Sequence, residues 1–217
     1  MQSHDNDHNR CRELKLYEAI LWEPPNGYFL LERHLQRLER SSQHFRFATD
    51  IEAIRRYLAE YEHELPQTPR KVRMEVDRSG TIILHNEAVK PSTTVEAAIC
   101  EFPVSSTDEY LRHKTTQRDV YDLALATHPE AQDVLLWNER HELTETCHGN
   151  IIVTIRGRKL TPPLSSGLLP GVQRSALLDS GEIEEGVVSL ESLRNADDLE
   201  LINSVRKRCK IRLLPRK

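Results

Sequence analysis

Asp133–Thr154, DVLLWNERHELTETCHGNIIVT, is the stretch whose reading decides the fold. Two apolar runs, Val134–Trp137 and Ile151–Val153, flank a polar middle that holds Thr144, Glu145 and Asn150. Short runs rich in apolar and β-branched residues, bounded by polar turns, have the pattern of strands. A carboxylate between two such strands lies close to buried ground, where an ion needs a partner or its pKa moves. Taken alone, the segment better suits a surface turn with a solvated Glu145. The rest of the chain decides.

Working outward, the first half predicts a hairpin, two helices and three strands. Leu14–Trp22 alternates as a strand, Pro24-Pro25-Asn26-Gly27 is a turn, and Tyr28–Leu31 returns as a second strand. Glu32–Phe47 shifts to helical spacing with Leu35 and Leu38 on one face, and Arg33, Arg37 and Arg40 around the remainder. Asp50 is placed to cap a second helix through about Glu64, which Pro66 and Pro69 end. Lys71–Asp77, Thr81–Asn86 and Val95–Glu101 follow as strands. Phe102–Tyr110 is short, polar and carries Pro103, so it marks a domain boundary. Beyond it the pattern predicts a helix over Thr116–Thr127, a turn-rich connection over Leu164–Gly171 and a helix over Val172–Asp179 that Gly181 terminates. Val187–Leu190, Leu199–Asn203 and Cys209–Leu213 supply further strands. The expectation is an α+β chain: a polar, disordered tail over 1–12, an N-terminal α/β sandwich over 13–103, a linker over 104–111, and a mixed β/α domain over 112–217.

Composition narrows the function classes. A net charge of −4 gives no basic field for nucleic acid. No apolar run approaches the ~18 residues of a membrane span, and no signal-peptide core opens the chain. Cys11, Cys100, Cys147 and Cys209 form no CxxC pair, which disfavours a zinc ribbon or a disulfide framework and suits a reducing cytoplasm. His4 and His8 have no apolar anchor, and His141, Cys147 and His148 match no standard zinc spacing.

Candidate chemistry lies at four places. Lys114 follows the boundary segment, where a lysine can point into a cleft between domains and react with carbonyls once its amine is deprotonated. Arg112 and His113 beside it would favour that deprotonation. Glu145 could hold a ring nitrogen protonated, and Arg37 could grip a phosphate through its guanidinium fork. Gly171 and Val172 open a helix whose free N–H groups favour the same anion.

The ordered motifs FLLERHLQRL (29–38), HKTT (113–116), ELTETCHGNI (142–151) and TPPLSSGLLPGVQR (161–174) resemble the fold-type IV pyridoxal-phosphate enzymes. These are the branched-chain and D-amino acid aminotransferases and 4-amino-4-deoxychorismate lyase. With LYEAILWEP (16–24), VLLWNERHELTE (134–145) and NSVR (203–206), the likeness is greatest to the lyase domain fused to some aminodeoxychorismate synthases. The resemblance implies a two-domain, D-amino acid aminotransferase-like fold, with residues 112–217 as the domain that binds pyridoxal 5'-phosphate. It makes Lys114 the Schiff-base lysine, Arg37 a phosphate ligand and Glu145 the partner of the pyridine nitrogen. Val172 and Gln173 would cradle the phosphate, Ser204 would add a hydroxyl, and Asn150 would contact the cofactor or hold a turn. A cytoplasmic homodimer is implied, with an aminodeoxychorismate synthase as a possible partner. The implied activity is elimination of pyruvate from aminodeoxychorismate to give 4-aminobenzoate for folate. The alternatives are transamination of branched-chain or D-amino acids, and a non-catalytic cofactor-binding module. Two departures stand out: a polar tail replaces the Gly-rich stretch that commonly precedes Leu16, and Ala19 stands where many relatives carry a hydroxyl or glycine.

Overall fold

The structure, a computed structural model, describes residues 13–90 and 93–215. The tail over 1–12, with His4, His8 and Cys11, lies outside the described residues. Among those described, no helix is long and apolar enough to cross a membrane.

Two sheets organise the chain. The first contains β1 (Leu16–Glu23), β2 (Gly27–Tyr28), β3 (Arg70–Val76) and β4 (Ile82–Ala88) in the antiparallel order β2-β1-β3-β4. Two helices, α1 (Leu31–Phe45) and α2 (Ile51–Tyr61), cover one face of it. Strand periodicity sends Leu16, Ile20 and Trp22 of β1 towards those helices, into a core with Leu35, Leu38, Ile54, Leu58, Val72 and Met74. Tyr17 and Ala19 face the other way. Asp50 caps α2 by accepting the Ala53 N–H at 2.9 Å. The expected return strand over Tyr28–Leu31 shrinks to Gly27–Tyr28, because Leu30 adopts a left-handed conformation (φ 55°) and Leu31 already belongs to α1.

The second sheet holds eight strands: β5 (Thr94–Ile99), β6 (Asp133–Trp137), β7 (Leu143–Thr146), β8 (Asn150–Ile155), β9 (Arg158–Thr161), β10 (Glu184–Glu185), β11 (Asp198–Asn203) and β12 (Lys207–Leu213). Their order is β10-β9-β8-β11-β12-β5-β6-β7. The outermost strand β7 turns directly into β8, with the Thr146 N–H donating to the Gly149 carbonyl at 2.8 Å, so the sheet curls back on itself. Three further helices, α3 (Glu109–Arg112), α4 (Asp119–Thr127) and α5 (Val172–Asp179), pack around it.

Several sequence expectations are corrected here. The strand expected at Val95–Glu101 was assigned to the first domain, yet β5 pairs in parallel with β12 and β6 in the second sheet. The crossing between sheets therefore falls between β4 and β5. Residues 104–111, expected as an interdomain linker, are packed: Val104 and Leu111 are buried in a cluster with Val134 and Leu136. The polar middle of the opening stretch is itself a strand, β7, all four of whose residues are buried. Val187–Leu190 forms no strand; Ser189 makes one isolated bridge to Glu142, and a 3₁₀ turn follows. The polar strand β9 went unread.

The β3–β4 turn supplies a local test. Asp77 accepts both the Ser79 and Thr81 N–H groups at 2.9 Å, and Gly80 takes φ +87°. A Cβ on Gly80 would fall 2.0 Å from the Ala48 carbonyl oxygen. We expect Gly80→Ala to cost about 2 kcal/mol or more, from strain and clash together, seen as a lower urea midpoint at an unchanged slope.

Candidate active site

A cleft of about 770 Å³ opens between the two sheets. Its walls carry Tyr17, Arg37, Lys114, Glu145, Asn150, Val172 and Ser204 among others. Gln173 is not among the lining residues; it sits one position further into α5, with its Oε1 buried and unpartnered. Six of the seven site residues expected from sequence thus share one cavity.

Lys114 owes its position to backbone pairing. The Tyr17 N–H donates to the Lys114 carbonyl at 3.0 Å, and the Thr116 N–H donates to the Lys15 carbonyl at 2.9 Å. Lys114 is thereby laid along the start of β1, with its Nζ 4.7 Å from the centre of the Tyr17 ring. Burial lowers its pKa, and Arg37 and Arg118 lower it further against the opposing pull of Tyr17 and Glu18. The expected helpers Arg112 and His113 point elsewhere. Arg112 donates to the Ser106 carbonyl at 3.0 Å, and His113 meets Ser41 at 3.0 Å while stacking on His44.

Glu145 lies on β7 and is 3% exposed. Its carboxylate accepts the Tyr121 hydroxyl at 2.7 Å, the Leu169 N–H at 3.1 Å and Asn150 Nδ2 at 3.1 Å. Burial raises its pKa to about 7 in spite of those donors and of the nearby charges of Lys114 and Arg118. Asn150 also donates to the Leu169 carbonyl at 2.9 Å, so it fixes both the acid and the loop above it. The same crowding requires a glycine at 171, where a Cβ would lie 1.9 Å from Asn150 Oδ1.

Arg37 is buried on α1. It donates through Nε to Glu18 Oε1 at 2.8 Å, through Nη2 to Oε2 at 2.5 Å, and through Nη1 to the Pro170 carbonyl at 3.3 Å. Burial pushes the Glu18 carboxyl up, but Arg37 and His34 outweigh it and hold the group at about 2. Pro170 leads into Gly171 and α5, whose N-terminus has no side-chain cap. A guanidinium and a set of free helix N–H groups therefore meet at one end of the cleft. Ser204 donates to the Ala19 carbonyl at 3.2 Å on the neighbouring wall.

Tyr17, Glu18, Arg118 and Tyr121 escaped the sequence analysis. The period of β1, which puts Tyr17 and Ala19 on one face, was the available signal. The lining is strongly basic: Arg37, Lys71, Arg73, Lys90, Lys114, Arg118 and Arg206 face only two carboxylates, Glu87 and Glu145. His141 stacks on Trp137 and His148 pairs with Asp133, and no group of three or more His, Cys, Asp or Glu suited to a metal occurs among the described residues.

The profile of the amino-transferase class IV family matches residues 15–214. The chain belongs to that family, and its fold is that of the fold-type IV enzymes. A Schizosaccharomyces pombe protein named "Putative aminodeoxychorismate lyase" is 32% identical over 213 residues, spanning 91% of this chain and 89% of its own. A Mesorhizobium loti structure titled "Putative amino-acid aminotransferase" superposes with a TM-score of 0.86 at 31% identity, over 93% of this chain and all of its own. The 4-amino-4-deoxychorismate lyase of Pseudomonas aeruginosa shares the fold, with a TM-score of 0.79 at 22% identity over 92% of this chain and 83% of its own.

Glu145 makes stability depend on pH in a definite direction. Its folded pKa of about 7 stands above the ordinary 4.5, so its contribution is complete below about pH 4.5 and is lost as the pH rises through about 7. Glu18 is shifted the opposite way, to about 2, and its contribution is lost only as the pH falls below about 4.5. Between pH 5 and 8 the cofactor-free protein should lose stability, and Glu145→Gln should flatten that slope in urea titrations.

Proposed function

We propose that this chain is a pyridoxal-phosphate-dependent 4-amino-4-deoxychorismate lyase. The observation that carries the reading is the convergence of an amine, a buried acid and an anion cradle on one cleft. Lys114 is a lysine with a lowered pKa, suited to an aldehyde; Glu145 is a buried acid, suited to a ring N–H; Arg37 and the start of α5 suit a phosphate. The residues present fit the group.

When bound, pyridoxal phosphate supplies an aldehyde for amines and a ring that takes up the electron pair of a broken C–H bond. Arg37, with the N–H groups at Val172 and Gln173, would hold its phosphate, and Ser204 lines the same cleft. Glu145 would keep the ring nitrogen protonated, and Asn150, Tyr121 and the Leu169 N–H would keep Glu145 facing it. Lys114, whose amine gives up its proton more readily because of burial and the nearby Arg37 and Arg118, would take the proton from the amine-bearing carbon. The intact set of these residues favours a catalyst over a non-catalytic module.

Two observations support the lyase in particular. The relative that carries that name is 32% identical across nearly the whole chain. The basic lining of the cleft, in a protein of net charge −4, suits a substrate that bears two carboxylates. The second reading, an amino-acid aminotransferase, is favoured by the 31% identical Mesorhizobium loti structure; it shares the proton abstraction but requires a keto acid. A cytoplasmic homodimer working beside a synthase belongs to the same proposal, and gel filtration at several concentrations tests the dimer.

The deciding assay measures 4-aminobenzoate released from aminodeoxychorismate with pyridoxal phosphate and no keto acid. We expect release, and its loss in Lys114→Ala. Turnover that appears only with an added keto acid would establish the aminotransferase. Glu145→Gln should retain the cofactor and slow proton abstraction by about 100-fold or more, checked by deuterium exchange. Arg37→Ala should weaken cofactor affinity by a few kcal/mol. It should also destabilise the fold by about 3 kcal/mol, since Glu18 is left buried without its cation.

A further inference from the structure

Tyr17 lies on the cavity face of β1, two residues before Ala19, and is 6% exposed. Its oxygen accepts Arg118 Nη1 at 3.1 Å, while its own proton reaches no acceptor among the described residues. Arg118 is itself anchored, donating Nη2 to the Cys147 carbonyl at 2.8 Å. Over the ring lie the Arg73 guanidinium, 4.0 Å from its centre, and Lys114 Nζ at 4.7 Å. Three cations on β3, on the segment after α3 and at the start of α4 therefore surround one phenol. Burial pushes that phenol up, but Lys114, Arg118 and Arg73 outweigh it and bring its pKa down to about 8. A proton held that weakly can be given up and recovered near neutral pH.

The other hydroxyls of the cleft are committed. Tyr121 donates to Glu145, Ser204 to the Ala19 carbonyl and Thr146 to the Gly149 carbonyl. His148, a further titratable side chain of the cleft, is 42% exposed and pairs at 3.2 Å with the buried Asp133.

We propose that Tyr17 is the general acid of the elimination, giving its hydroxyl proton to the ether oxygen that departs. The inference rests on the lyase reading above. Lys114 removes the hydrogen of the amine-bearing ring carbon as a proton. The adjacent C–O bond breaks, its electron pair leaving with oxygen, and the new carbon–carbon double bond completes the aromatic ring. The Tyr17 O–H bond breaks as the departing oxygen takes the proton, forming the enol of pyruvate, which then ketonises. Tyrosinate, held between Arg73 and Arg118, recovers a proton from the Lys114 ammonium, so both groups end as they began. No oxidant or reductant is consumed.

The test compares the wild-type holoenzyme with Tyr17→Phe and His148→Gln. Ultraviolet titration of the wild-type protein should show one tyrosine ionising near pH 8, and Tyr17→Phe should lack it. With cofactor bound normally, Tyr17→Phe should release 4-aminobenzoate about 100-fold more slowly. In deuterated water its recovered substrate should carry deuterium at the amine-bearing carbon, because Lys114 still exchanges that hydrogen. His148→Gln should retain release. Wild-type release by Tyr17→Phe would overturn the assignment, as would slow release without deuterium uptake, which would place Tyr17 before the elimination. Loss of release in His148→Gln alone would transfer the role to His148. Absence of release from the wild type would refute the lyase reading itself, and this inference with it.

Discussion

The buried contact between Glu18 and Arg37 is the constraint on which the site depends. An isolated carboxylate inside a sheet-and-helix core would be costly, and an isolated guanidinium equally so. Each is tolerable because the other is there, with His34 completing the group at 2.7 Å from Glu18. Burial lowers the His34 pKa in spite of the opposing pull of Glu18, and the imidazole adds its hydrogen bond to the pair. The pair fastens α1 to β1 and leaves Arg37 Nη1 directed at the Pro170 carbonyl, where the second half of the chain enters its phosphate-suited turn. Replacing both charges with apolar residues could keep the packing, but it would leave nothing for an anion.

Two buried carboxylates in one small protein are driven in opposite directions. Glu18 has the Arg37 guanidinium against both oxygens and stays ionised to about pH 2. Glu145 has neutral donors and more distant charges, and burial prevails, so it titrates near 7. The two acids therefore differ in kind: Glu18 is a fixed counter-ion to Arg37, and Glu145 is a group whose proton is exchangeable near neutral pH. Tyr17 adds a phenol shifted down towards the same range by its cationic surroundings.

Much of the site was legible in sequence because its residues sit at motif positions that can be read locally. Lys114, Arg37, Glu145 and the Gly171–Val172 helix start all came from short ordered runs. Tyr17 and Glu18 did not, because in LYEAILWE an aromatic and a carboxylate look like ordinary strand residues. Their meaning depends on Arg118, 101 residues away, and on Arg37 across a helix. The misplacement of β5 has a similar origin: its partner β12 lies more than a hundred residues downstream, and neither Pro103 nor local polarity reports parallel pairing. β7 carries no strand pattern of its own because Thr144, Glu145 and Thr146 have the polarity of a solvated turn, whereas tertiary packing buries all of them.

The backbone pairing of Lys114 with the start of β1 has a mechanical consequence. The residues just before Lys114, Val104 and Leu111 among them, are rooted in the core around the second sheet. Lys114 and Thr116 are nonetheless stitched to the first sheet by two main-chain hydrogen bonds. The seam between the two halves therefore runs through the reactive lysine. Swinging the halves apart would break the hydrogen bonds that position Lys114. Lys71, Lys90 and Arg206 add their charges to the lining of the cleft that this seam closes on one side.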